Sequence, residues 1–164
     1  VDPDRRYPGN GSATLTDGVL GVPKPRDHRW IGFEGKDVTA TVDLQALVDL
    51  ERVSARFLQQ TDVGIYPARA VEFSGSTDGR TFNALGTATP VEVTGEQNGS
   101  VHTLAITTTR RVSVRYLRLT ALNFGPLPKG RILRNGRRAE HEKPSWMFMD
   151  EIVADGQERA KEQP

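Results

Sequence analysis

The sequence contains no cysteine. That absence removes disulfides, thiolate nucleophiles, Fe–S clusters and Cys-ligated zinc. Net charge is almost missing as well: 22 basic and 21 acidic residues leave +1. No general attraction to duplex nucleic acid follows from that balance unless the charge is clustered. No run approaches the roughly 18 apolar residues of a membrane span. A length of 164 residues fits one domain and falls well short of the ~250 that a (β/α)₈ barrel uses. The chain opens at Val1 with no charged segment leading into an apolar one, so it is read as a processed or excised piece of a longer protein. The missing cysteine does not itself fix the compartment.

What is present is mostly β signal. Val42 and Leu44 alternate with Thr41 and Asp43; Val53, Ala55 and Phe57 with Ser54 and Arg56; Val71 and Phe73 with Glu72 and Ser74. An Asp78-Gly79 turn follows, and Phe82 and Leu85 restart the pattern. Val91–Val93 and Val101–Ile106 are further expected strands, joined through Gly95 to Gly99. Val112–Leu122 is the longest, and its apolar phase slips from Val112, Val114 and Tyr116 to Leu117, Leu119 and Ala121. A β-bulge or burial on both faces would produce such a slip. Trp146–Val153 is the last expected strand, and only Asp43–Val53 has any helical character. Seven or eight short strands without crossover helices predict an all-β antiparallel sandwich or jelly roll. The expected organisation is a lead-in over 1–12, the sandwich over 13–155 and a polar tail over 156–164.

The search for catalytic chemistry is largely negative. None of the three histidines, His28, His102 and His141, lies by a nucleophile elbow or at metal-ligand spacing, and no phosphate cradle or organic-cofactor motif is present. His102 is expected within a strand, and the other two in loops. Asp150 and Glu151 are poor as a glycosidase pair, because neighbours on a regular strand point to opposite faces. The long Gly125–Ser145 connection carries Lys129, Arg131, Arg134, Arg137 and Arg138, then Glu140 and Glu142. Without interleaved aromatics it is better read as a solvated loop than as a polyanion site.

A series of landmarks points further. Leu15-Thr16-Asp17-Gly18 is followed by Trp30, by Val42-Asp43-Leu44, and by Val71 to Phe82 reading V-E-F-S-G-S-T-D-G-R-T-F. Then come Val114 to Leu119 (V-R-Y-L-R-L) and Asp150-Glu151-Ile152. In this order they resemble the discoidin, or coagulation factor V/VIII type C, domains, which are eight-stranded galactose-binding-like jelly rolls. Trp30–Asp37 (W-I-G-F-E-G-K-D), Phe57–Gln60, Ala121–Pro126 and W-M-F-M-D-E-I at Trp146–Ile152 look like a bacterial subgroup. That subgroup lies at the C-terminus of exported glycoside hydrolases, notably β-N-acetylhexosaminidases.

The resemblance implies a non-catalytic accessory module, secreted or periplasmic, that binds a glycan or docks on its parent's catalytic domain as a purely structural element. It implies a structural calcium held by the Asp17 and Glu151 side chains with the carbonyls of Thr14, Val19 and Asp150. The alternative is that Asp17 caps its own turn. Glycan contacts would come from loops at one end: Arg26, Asp27, His28, Gln60, Asp62, Tyr66, Asn123 and Phe124. Trp30 and Phe33 belong to the packed base of such domains.

Overall fold

A computed structural model describes residues 2–93, 98–127, 129–130, 132, 135–138 and 140–159. The strands are β1 (Ile31–Glu34), β2 (Val38–Gln59), β3 (Ala70–Ser76), β4 (Asn83–Ala88), β5 (Ser100–Leu122), β6 (Pro126–Leu127), β7 (Lys143–Pro144) and β8 (Trp146–Glu158). Every pairing between them is antiparallel. The large sheet runs β1-β8-β2-β5-β3-β4, and β6 and β7 form a separate two-residue pair.

This continuous sheet becomes a sandwich because β2 and β5 bend together. Residues 38–43 of β2 pair with 116–121 of β5, which pairs onward with β3 and β4. Residues 48–59 of β2 pair with 100–114 of β5 on one side and with β8 on the other, and β8 pairs with β1. The two halves face each other across one core. Val38, Val71, Phe73, Leu119 and Ala121 come from the first layer, and Ile31, Phe33, Val53, Ala55, Phe57, Leu104, Met147 and Met149 from the second. Truncating a fully buried aromatic such as Phe57 would cost about 3–5 kcal/mol.

The bend lies where the sequence was least regular. Four residues, Leu44–Leu47, stand opposite the single Arg115, between the pairs Asp43↔Tyr116 and Val48↔Val114. The slip in apolar phase along β5 is therefore real, since Val114 and Leu117 are both buried on either side of the crossing. The weak helical character over Asp43–Val53 is overruled by this bulged strand. Asp43 organises the bulge: its carboxylate accepts the Gln45 N–H at 2.9 Å and two bonds from Arg115 at 2.9 and 3.0 Å.

Three further expectations change. Val91–Val93 is not a strand, and Val91 is wholly exposed; the Gly95 end of its expected turn lies outside the described residues. The lead-in is built into the fold: Asp4 N–H donates to Gly32 O, and Gly32 N–H to Tyr7 O, along the free side of β1. At the other end β8 continues to Glu158, and Arg159 N–H reaches Leu47 O, so the domain extends past 155. The basic connection starts and ends in the β6–β7 pair, with Leu127 buried. Arg137 and Arg138 are exposed, whereas Arg131 and Arg134 lie outside the described residues. Among the described residues no helix is long and apolar enough to cross a membrane.

Gln45 sits at φ 65°, a left-handed conformation that costs a side-chain-bearing residue about 1 kcal/mol or more relative to glycine. Q45G is expected to raise stability by roughly 0.5–1 kcal/mol and Q45V to lower it, measured by urea unfolding. A stabilised Q45V would refute this account of the bend.

Candidate functional site

The second layer is covered on its outer side as well. Strand alternation sends Phe57, Met147 and Met149 into the sandwich and leaves Leu58 and Phe148 facing outward. There they pack with Trp30 and Ile65 into a second buried cluster, against which Tyr7, Val101 and Trp146 lean. The loop between the 3₁₀ turn Gly11–Leu15 and β1 closes over this cluster and is fastened by side chains of β8.

That fastening rests on a bulge. Ala55 pairs with Ile152 and Phe57 with Met149, so Arg56 alone opposes both Asp150 and Glu151. Both carboxylates then reach the same loop, which corrects the expectation that they point to opposite faces. Asp150, fully buried, accepts the Gly21 N–H and the Arg56 guanidinium at 2.7 Å each. Glu151 accepts the Gly18 N–H at 3.0 Å. Burial pushes both carboxyls above their usual values; the Gly21 N–H and Arg56 oppose this at Asp150, and the Gly18 N–H opposes it at Glu151 while Asp17 and Asp150 add to it. The second oxygen of Asp150, Oδ1, is buried with no hydrogen-bond partner.

Trp30 completes the fastening by donating its indole N–H to Val22 O at 2.7 Å. Gly21 must be glycine at this approach, because a Cβ there would lie 2.5 Å from the Trp30 ring. Asp17 is exposed, and its carboxylate accepts the Val19 N–H at 2.9 Å, so the turn-capping role is present. Among the described residues no three Asp, Glu, His or Cys side chains converge as a metal cluster.

Beside this loop, over the outer cluster, lies a cavity of about 510 Å³. Ile65 and Phe148 are its buried residues; Tyr7, Trp146, Val63, Gln60 and the Lys24–Arg26 tip form the rest of its lining. Tyr7 stands edge-on to Trp146 at 5.2 Å and to Phe148 at 4.8 Å. Arg6 lies over the Trp146 ring at 4.6 Å, its charge held by Asp4 and Glu34. Local bonds fix the walls. Gln60 and Ile65 exchange backbone hydrogen bonds around the turn Thr61–Val63, with Gly64 at φ 85° closing it. The Lys24–Asp27 turn is closed by Asp27 N–H to Lys24 O at 3.0 Å. The Asp27 carboxylate then accepts the Val22 N–H and pairs with Arg29, whose hydrogen bonds hold it down at about 2.

The residues expected to contact a glycan separate into groups. Arg26 and Gln60 line the cavity. Asp27 is the brace of the loop just described. His28 is exposed close by in sequence, and Asp62 lies in the 3₁₀ turn with a buried, unpartnered Oδ1. Tyr66 and Phe124 stack on each other at 4.3 Å. Asn123 is buried and structural: its Oδ1 accepts Ser145 Oγ–H at 2.7 Å and the Gly125 N–H at 2.9 Å.

Sequence reasoning missed Lys24 and Trp146 as lining residues and recognised Tyr7 only as an aromatic in a loop, beside Tyr66 and Phe124. The signal available for Trp146 was its two-residue spacing from Phe148, opposite in phase to Met147 and Met149. Another concavity, of about 670 Å³, runs along β1 and the first half of β2 and mixes apolar residues, among them Leu15, Phe33, Val38 and Ile152, with polar ones such as Thr39, Thr41 and Asp43.

No family model and no curated protein matches the sequence. Solved structures do. The CBM32-3 module of a family 31 glycoside hydrolase from Clostridium perfringens aligns over 95% of this chain and 86% of its own, at 16% identity and TM-score 0.56. An F5/8 type C domain from Bacteroides fragilis aligns over 95% and 85%, at 13% identity and TM-score 0.55. The fucolectin of Morone saxatilis (striped bass) aligns over 99% of this chain but 47% of its own, at 14% identity and TM-score 0.64. The landmarks and the three-dimensional arrangement therefore agree: this chain has the antiparallel, galactose-binding-like sandwich fold of the discoidin-like F5/8 type C and CBM32 domains.

Proposed function

We propose that the domain is a non-catalytic carbohydrate-binding module of an exported bacterial glycoside hydrolase, a β-N-acetylhexosaminidase, and that the Trp146 cavity holds the sugar. The observation that carries this reading is the composition of that cavity. It offers aromatic and apolar surface from Tyr7, Trp146 and Phe148 beside the donors and acceptors of Lys24, Arg26 and Gln60. A pyranose has the complementary character, with apolar C–H faces for a ring and hydroxyls for a few polar groups. Among the described residues the lining contains no carboxylate, histidine or hydroxyl nucleophile other than the Tyr7 phenol, which suits binding.

The rival reading, a structural domain docked on the parent enzyme, draws on the mixed polar and apolar groove along β1 and β2. Calorimetry against amino sugars, galactosides and soluble polysaccharides separates the two. Saturable binding that weakens about tenfold or more in Trp146→Ala, with the melting temperature recorded to verify folding, is the expected result. Silence against every sugar would remove the glycan reading.

A structural calcium belongs to the same proposal. Asp17 and Glu151 supply hard carboxylate oxygens, and the orphaned Oδ1 of Asp150 adds an unmet acceptor in the adjoining residue. Carbonyls of Thr14, Val19 and Asp150 would complete an all-oxygen set of the kind calcium takes. Bound there, the cation would tie the loop to β8. EDTA is expected to lower the melting temperature of the wild type and to leave Asp17→Ala unmoved. An unchanged wild-type melt would dispose of the calcium.

A further inference from the structure

We infer that the sugar held in this cavity carries a negative charge, a carboxylate or a sulfate, recognised by Lys24 and Arg26; the inference rests on the carbohydrate-binding reading above. Charge around the cavity is unevenly satisfied. Arg6, over the Trp146 ring, is neutralised by Asp4 and Glu34, and Arg29 by Asp27. Lys24 and Arg26 form no ion pair among the described residues, although both line the cavity and no acidic side chain does.

They are also held ready. Pro25 between them fixes its own φ, the turn is closed by Asp27 N–H to Lys24 O, and the Asp27 carboxylate bonds back to the Val22 N–H at 2.8 Å. Lys24 and Arg26 are both exposed on this braced turn, so an anionic sugar lying against the aromatic wall can take charge-assisted hydrogen bonds from both. A neutral sugar would gain only ordinary hydrogen bonds from the same groups and would leave both charges unmatched.

Affinity electrophoresis and calorimetry on the 164-residue chain test this with polymers that differ in charge alone. Polygalacturonate is compared with its methyl ester, and a sulfated galactan with the unsulfated backbone. The expected result is binding to the uronate or the sulfated polymer, whichever anion fits, with about tenfold loss on removing the charge from the polymer. The double variant Lys24→Ala/Arg26→Ala should lose binding by a similar factor while melting as the wild type does. Raising salt should weaken the wild type and leave the double variant's residual binding nearly flat.

Equal affinity for charged and neutral polymers, or an unaffected double variant, would overturn the inference and leave the glycan reading standing. An equal loss in Arg137→Ala/Arg138→Ala would mean general polyanion attraction and would overturn it too. Binding to none of these polymers would overturn the inference, and the reading beneath it would fall only if the amino sugars and galactosides were silent too.

Discussion

The buried carboxylate of Asp150 is the constraint on which the functional end of this molecule depends. A fully buried anion is costly, and the fold offsets that cost with Arg56 and the Gly21 N–H at 2.7 Å each. Removing one partner of such a pair leaves an uncompensated charge worth roughly 3–5 kcal/mol. Because one of its partners is a loop amide, the same charge that must be satisfied also fixes where the loop runs. Gly21 is thereby drawn flat against Trp30, the Trp30 indole takes Val22 O, and Lys24 is carried to the rim of the cavity. The loop's conformation is thus set from the sheet upward, by a strand irregularity that turns two consecutive acids the same way.

That irregularity is one of several register shifts in the sheet, two of which shape the molecule most. The bulge at Leu44–Leu47 divides one long hydrogen-bonded sheet into two facing layers, and the bulge at Asp150–Glu151 aims side chains at a loop. Extra residues in a ladder bend a strand or redirect its side chains, and this domain uses both consequences. Strand alternation gives the second layer apolar residues on both faces. Phe57 and Met149 serve the sandwich, while Leu58 and Phe148 serve a smaller cluster that the N-terminal arm covers with Tyr7. The cavity exists because that cover is incomplete, ending where Tyr7 meets Trp146 edge to edge.

Much of this was legible in the residues, because a period of two is a local property. The alternations at Thr41–Leu44, Val53–Phe57, Val71–Phe73 and Val101–Ile106 are strands, and the phase slip in Val112–Leu122 marked the layer crossing correctly. The ordered landmarks pointed to the fold that the solved structures share. What escaped is non-local. Nothing near Asn123 says that its amide will hold Ser145, since that depends on where backbone 22 residues away arrives, whereas the partners of Asp27, Val22 and Arg29, lie within its own loop. Val91–Val93 has strand-forming residues but no neighbour to pair with, and β propensity without a partner decides nothing. Tyr7 looked like part of a lead-in because a single aromatic in a polar stretch has no period to betray it.

The near-zero net charge conceals a sorting of charges by task. Asp4, Asp27, Asp43, Asp49 and Asp150 each face an arginine, and several also hold a backbone amide or a hydroxyl, so these five acids are committed to holding turns and strands. Lys24 and Arg26, on the turn that Asp27 braces, form no ion pair among the described residues. A chain of balanced composition can thus present a positive site, because charge that is paired within a few ångströms contributes little field beyond its own dipole. The sandwich itself, made from backbone ladders and an apolar core, places no demand on which side chains occupy those loops. The same fold is accordingly compatible with 13–16% identity to its structural neighbours, because the core leaves the loop side chains free to vary.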